Sequence, residues 1–125
     1  MPKASKETAA NVEDMGVMVG RYEELGPYTV GFETFREDAD AAPLMKGLPD
    51  DRCQSAHWGY VVSGRVTFTF ADREEIYEAG DAYYAEPGHT PAVTAGTEVI
   101  EFSPTADYRQ TVEVIGKNMA AMQAG

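Results

Sequence analysis

Apolar and polar positions alternate one for one through the middle of the chain. In RVTFTF, Arg65 to Phe70, the residues Val66, Phe68 and Phe70 share one parity while Arg65, Thr67 and Thr69 share the other, the pattern of a strand with one buried and one wet face. The runs Tyr28 to Phe35 (YTVGFETF), His57 to Val62 (HWGYVV), Glu75 to Tyr77 and Thr97 to Phe102 (TEVIEF) are likewise rich in aromatic and β-branched residues, which suit a pleated surface. Turn signals separate them at Ser63-Gly64, Ala71-Asp72, Ala79-Gly80-Asp81, Pro87-Gly88 and Ala95-Gly96. Short strands broken at this spacing predict an all-β sandwich or barrel, not βαβ units. HWGYVV departs from simple alternation: Trp58, Tyr60 and Val62 occupy one face, and Val61 lies with His57 on the other. Both faces carry apolar groups, so the outer one calls for cover by a second subunit or a terminal segment.

The stretch from Arg36 to Gln54 (REDADAAPLMKGLPDDRCQ) is a long connection rich in Pro, Gly and Asp. Unstructured connections of this length usually serve a function, and a lid or rim over a pocket is the expected role. After Ser103-Pro104 the period changes. Tyr108, Val112, Ile115, Met119 and Met122 recur at helical spacing with Pro104 near the start, predicting an amphipathic C-terminal helix over about 105–122, with Gly116 a weak point and the methionines packing into the core. Near the N-terminus Val12, Met15, Val19 and Tyr22 fit either a short helix or a strand from about Val17. The chain is thus expected to be a single domain over residues 1–125, with the barrel over about 17–104.

Composition narrows the function classes. The chain has 125 residues, 43% of them apolar and 25% charged, enough for one core without cross-links. The formal charge of −11, with no local cluster of Lys or Arg, argues against nucleic acid or anionic lipid as a partner. The first residues contain no apolar leader segment and no run approaches about 20 apolar residues. A single cysteine, Cys53, forms no internal disulfide and suits a reducing compartment. A cytoplasmic protein with no membrane association is expected.

Two segments resemble the paired motifs of the cupin superfamily. The first of those motifs runs His, any residue, His, three or four residues, Glu, six residues, Gly; the second runs Gly, five residues, Pro-x-Gly, two residues, His. With Gly64 on the last glycine of the first, His57 falls in the Glu slot, Cys53 in the second His slot and Asp51 in the first. With Gly80 opening the second, Gly88 keeps its glycine, Glu86 takes the Pro slot and Pro91 the His slot, while His89 stands two positions earlier. The stretches DDRCQSAHWGYVVSGRV, AGDAYYAEPGHTP and GTEVIEFSP also resemble a group of small single-domain bacterial cupin proteins. The resemblance spans about Tyr28 to Pro104 and implies a double-stranded β-helix, the jelly-roll barrel, commonly a homodimer. None of the four usual metal positions keeps its residue; three carry other side chains able to ligate, and Pro91 cannot.

The chain's two histidines, His57 and His89, fall in the two motifs that meet over the pocket in that fold. An extended segment would aim Asp51, Cys53, Ser55 and His57 at one face, with His89 and Pro91 in phase on the other strand. Two imidazoles and a thiolate from His57, His89 and Cys53 form a borderline-soft set suited to Zn²⁺, Fe²⁺, Ni²⁺ or Cu²⁺. Without a metal, the imidazoles could act as acid and base. Cys53 is otherwise a small buried hydrophobe, and the histidines hydrogen-bonded pocket residues. Asp51, Tyr60 and Glu101 are the remaining candidates for ligand contact, although Asp51 equally suits a solvated loop, and Glu98 and Glu101 have opposite parity on one strand. Three functions compete: a metal-dependent enzyme on a small organic molecule, a non-enzymatic ligand-binding cupin with a degenerate metal-free site, and a purely structural assembly protein.

Overall fold

Every turn signal read from the sequence falls between two strands. The computed structural model describes residues 3–124. These form the strands β1 (Asn11–Asp14), β2 (Met18–Leu25), β3 (Tyr28–Phe35), β4 (Ala39–Asp40), β5 (His57–Ser63), β6 (Arg65–Thr69), β7 (Glu74–Glu78), β8 (Ala82–Ala85), β9 (Thr90–Val93) and β10 (Glu98–Pro104), and then one helix, α1 (Thr105–Ala124). Pairing is antiparallel throughout, in a six-stranded sheet of order β1-β2-β3-β10-β5-β8 and a four-stranded sheet of order β4-β9-β6-β7. The two sheets with the helix at the C-terminus make a β-sandwich.

Inward parity builds the core. Val66, Phe68 and Phe70 meet Val61, Tyr83, Ala85 and Val99 from the facing sheet. Burying an aromatic such as Phe68, 2% exposed, stabilises by about 2–3 kcal/mol. The segment from Arg36 to Gln54 is not wholly irregular: it holds β4 and two 3-10 turns, Ala42–Met45 and Pro49–Asp51. Met45, Leu48 and Cys53 form a second cluster with Val114 and Ile115 of α1. Asn118 on α1 donates to the carbonyls of Leu44 (2.7 Å) and Lys46 (2.8 Å), pinning the helix to this loop.

Three expectations change. The N-terminal segment, open between helix and strand, pairs as β1 and β2 around a turn at Gly16, whose φ of 81° suits glycine; strand structure therefore begins at Asn11, not near 17. The helix runs to Ala124, past 122. Met122, expected to pack, is 63% exposed, because α1 outruns the barrel it covers. On the outer face of the larger sheet, Tyr28, Trp58, Tyr60, Val62, Tyr84 and Phe102 are 39% to 50% exposed, and among the described residues no terminal segment covers them.

Candidate functional site

Main-chain pairing brings the two motif ends together. The Cys53 N–H donates to the His89 carbonyl (2.8 Å), and the Cys53 carbonyl accepts from Gly88 (2.8 Å) and His89 (3.2 Å). From Cys53 the chain runs extended into β5, so Cys53, Ser55 and His57 are all buried on one side. His89 precedes β9 and is fully buried. One ligating atom from each of Cys53, His57 and His89 lies within 4.8 Å of the other two.

Hydrogen bonding fixes what these groups present. His89 Nδ1 is 2.7 Å from the Glu86 carbonyl; a carbonyl only accepts, so Nδ1 carries the proton and Nε2 holds a free lone pair. That Nε2 is buried with no hydrogen-bond partner among the described residues. Burial, with a smaller contribution from His57, holds His89 down to about 4, and burial holds His57 down to about 4. Both imidazoles are therefore neutral at neutral pH. His57 Nδ1 faces Ser103 Oγ (2.7 Å) and Glu101 Oε1 (3.2 Å), while its Nε2 lies 3.6 Å from Cys53 Sγ. Burial pushes the Cys53 thiol up, and Thr111 Oγ1 of α1 stands 3.6 Å from the sulfur.

A rung across five strands supports this cluster. Tyr22, Gly31, Glu101, Gly59 and Tyr83 pair in succession from β2 to β8. The glycines make room for the tyrosine rings: a Cβ on Gly31 would stand 2.9 Å from Tyr22 Cε1, and one on Gly59 would stand 2.7 Å from Tyr83 Cε2. The Tyr83 hydroxyl thereby donates to Glu101, and that of Tyr22 donates to Glu33 at 2.7 Å. Burial pushes both carboxyls up, Glu33 further through its neighbour Glu101. Burial likewise raises both tyrosines.

These groups line one cavity of about 320 Å³, in the range of small-molecule pockets. Val66, Phe68, Val93 and Val99 wall it, Leu44 and Met45 come from the loop, and Tyr108, Thr111, Ile115 and Met119 of α1 close over it. The apolar stripe of the helix is thus a roof as much as a core contact.

Glu101 lines the cavity. Asp51 does not: Asp50 and Asp51 both take left-handed backbone (φ 57° and 54°), so the extended parity begins only after them. Asp51 is exposed, its carboxylate accepting from Gly47 N–H. Tyr60 lies on the outer face, 42% exposed, because the alternation that turns His57 and Val61 inward turns it outward. Glu86 serves through its carbonyl; its side chain pairs with Arg73 at the surface. Sequence reasoning missed Glu33, Tyr22, Ser103 and Thr111 as site groups. The glycines at 31 and 59, unusual inside strands, were the signal that large side chains cross there.

The donor set suits a metal. The three donors, His89 Nε2 with its buried lone pair among them, face the cavity. Bound donors at about 2.0–2.3 Å from an ion lie about 3.5 Å from one another, a modest contraction from the present spacing. The Cys53, His57, His89 cluster could therefore hold a metal ion.

The fold is a sandwich of two antiparallel sheets around this cavity, with a possible metal site at Cys53, His57 and His89. Residues 51–100 match the family model of the cupin domain. Among solved structures, a protein of unknown function from Rhizobium leguminosarum bv. viciae superposes with a TM-score of 0.60 at 17% identity, over 82% of this chain and 95% of that one. An RmlC-like cupin from Shewanella frigidimarina gives 0.54 at 19%, over 81% and 88%. The polyketide cyclase RemF from Streptomyces resistomycificus gives 0.56 at 15%, over 83% and 80%. At these identities the likeness is one of fold. No curated protein is matched in sequence. No helix among the described residues is long and apolar enough to cross a membrane.

Proposed function

We propose that this chain is a small-molecule-binding cupin that works as a metal-dependent enzyme on a small organic substrate, with Cys53, His57 and His89 as the metal ligands. The carrying observation is the buried Nε2 of His89, without a hydrogen-bond partner among the described residues, whose tautomer is set by the Glu86 carbonyl. A lone pair left bare in a protein interior costs about 1–3 kcal/mol, and a bound cation removes that cost. The soft sulfur and two imidazoles favour Zn²⁺, Fe²⁺, Ni²⁺ or Cu²⁺ over harder ions. A bound metal would supply Lewis acidity or an activated water. The chain's own residues do the rest: Glu101 and Ser103 orient His57 through Nδ1, Tyr83 steadies Glu101, and α1 shields the cavity from bulk water. A binder without chemistry is the second reading, favoured by Pro91 standing where the family's second-motif histidine is expected and by the exposed Asp51. The uncovered aromatic face supports a homodimer, and the unpaired buried cysteine supports a cytoplasmic location.

The test is metal retention by tag-free protein incubated with each of the four ions and then desalted. Stoichiometric retention is expected, lost in His57→Ala and His89→Ala and weakened in Cys53→Ser, with circular dichroism verifying that each variant folds. Retention of none of the ions by the wild type would move the assignment to the metal-free binder.

A further inference from the structure

The cavity lining is acidic without compensation. Glu33 and Glu101 line the interior, Glu13 and Asp40 stand exposed at the rim, and the described lining residues include no Lys or Arg. Gly31 pairs with Glu101 and Glu33 with Val99, so the two glutamates are diagonal neighbours on one face of β3 and β10, their Cβ atoms about 7 Å apart. Tyr22 takes one oxygen of Glu33, and a carboxylate accepts at both. Independently, the unpartnered Nε2 of His89, a residue 0% exposed, lines the same cavity. The interior is therefore built around something that is not protein.

The charge balance says what kind of thing. Whatever fills the Cys53, His57, His89 cluster, Glu33 and Glu101 face the cavity with no Lys or Arg among the described lining residues to offset them. An anionic ligand would add to that deficit in a site of low polarity, which is costly, and the chain as a whole is at −11. An ammonium would pair with the carboxylates. It would also meet aromatic faces at Tyr22 and Tyr108, whose rings lie 5.6 Å apart and suit a cation. We infer that the ligand of this cavity is an organic cation, an amine on an apolar body, whose ammonium sits between Glu33 and Glu101 with its body against Phe35, Phe68 and the roof of α1.

This rests on reading the cavity as the ligand site under the proposed function, but not on the metal. The probes are benzylamine, phenethylamine and phenylbutylamine, each compared with the carboxylate and the alcohol of equal length. Binding is measured by titration calorimetry at neutral pH on metal-stripped and metal-loaded protein. At least one amine should bind about tenfold tighter than its matched carboxylate and alcohol in both forms. Glu33→Gln, which keeps the shape and an acceptor for Tyr22, should lower amine affinity about tenfold and leave the alcohol unchanged. A carboxylate binding as well as its amine, no amine binding in the millimolar range, or a folded Glu33→Gln protein binding amines like wild type would each overturn the inference. If that variant does not fold, the wild-type comparison alone decides. Amine preference in protein that retains no metal would sink the metal reading and leave this one standing.

Discussion

Gly59→Ala should be among the most damaging single-methyl additions in the barrel. The new Cβ would overlap the Tyr83 ring, 2.7 Å from Cε2, with the ring itself packed against Phe68 and Tyr77. Overpacking of this kind costs about 1–3 kcal/mol. If the ring swings away to relieve it, the hydroxyl leaves Glu101, and a hydrogen bond to a charged group is worth about 1.5–3 kcal/mol. The sum is about 2.5–6 kcal/mol, which for a domain of this size lowers Tm by about 10–25 °C. Calorimetric melting of Gly59→Ala, Tyr83→Leu and the double variant forms a cycle that isolates the clash. Alanine suits a strand better than glycine, so once the ring is gone Gly59→Ala should be neutral or mildly stabilising. Equal cost in both backgrounds, or a cost within about 0.5 kcal/mol in the wild type, would refute the claim that the glycine exists to admit the tyrosine.

Other outcomes follow from the same contacts. Glu33 titrates higher in the folded than in the unfolded chain because of burial and its neighbour Glu101; its contribution is intact below its ordinary value of 4.5 and is lost as pH rises through the raised value. In urea denaturation Glu33→Gln should therefore gain stability relative to wild type between pH 5 and pH 8, and parallel curves would refute the assignment. Trp58→Asp with Tyr84→Asp, on the uncovered face, should convert a dimer to a monomer by light scattering, and a wild-type protein that is monomeric at micromolar concentration would remove the premise. Asn118→Ala gives up two bonds to the loop, each worth about 1 kcal/mol, so amide exchange in the second half of α1 should speed up by about tenfold or more; unchanged exchange would show that the helix is held otherwise.

Much of the barrel was legible because one sheet face is buried and the other is not. Alternation located β3, β5, β6 and β10 to within a residue or two, and glycine-containing turns set their limits. The strands β2, β8 and β9 were harder: GDAYYAEPGH reads as punctuation, and MVGRYEEL mixes charge into both parities. Cys53, His57 and His89 were legible as a group through the motif spacing. Glu33 was not, since its role depends on which strand lies beside β3, a pairing with β10 set far along the chain. Asp51 was misread because parity counting assumes extended backbone, and two left-handed residues cancel the count. Tyr60 could have been excluded by parity alone.

The main-chain bonds between Cys53 and His89 also tie two stretches of chain that are distant in sequence. The ligating groups belong to segments that meet only when the chain between them has been laid down as β5 to β8 and His89 has closed against Cys53. A nascent chain offers an ion Cys53 and His57, four residues apart, but not His89, so an ion would gain its third donor only once β5 to β8 are in place. An ion held by all three donors would bind the finished form most tightly and so draw the folding equilibrium toward it. The metal would then act as a latch on a completed barrel, and starving cells of it would leave folded protein that opens more often.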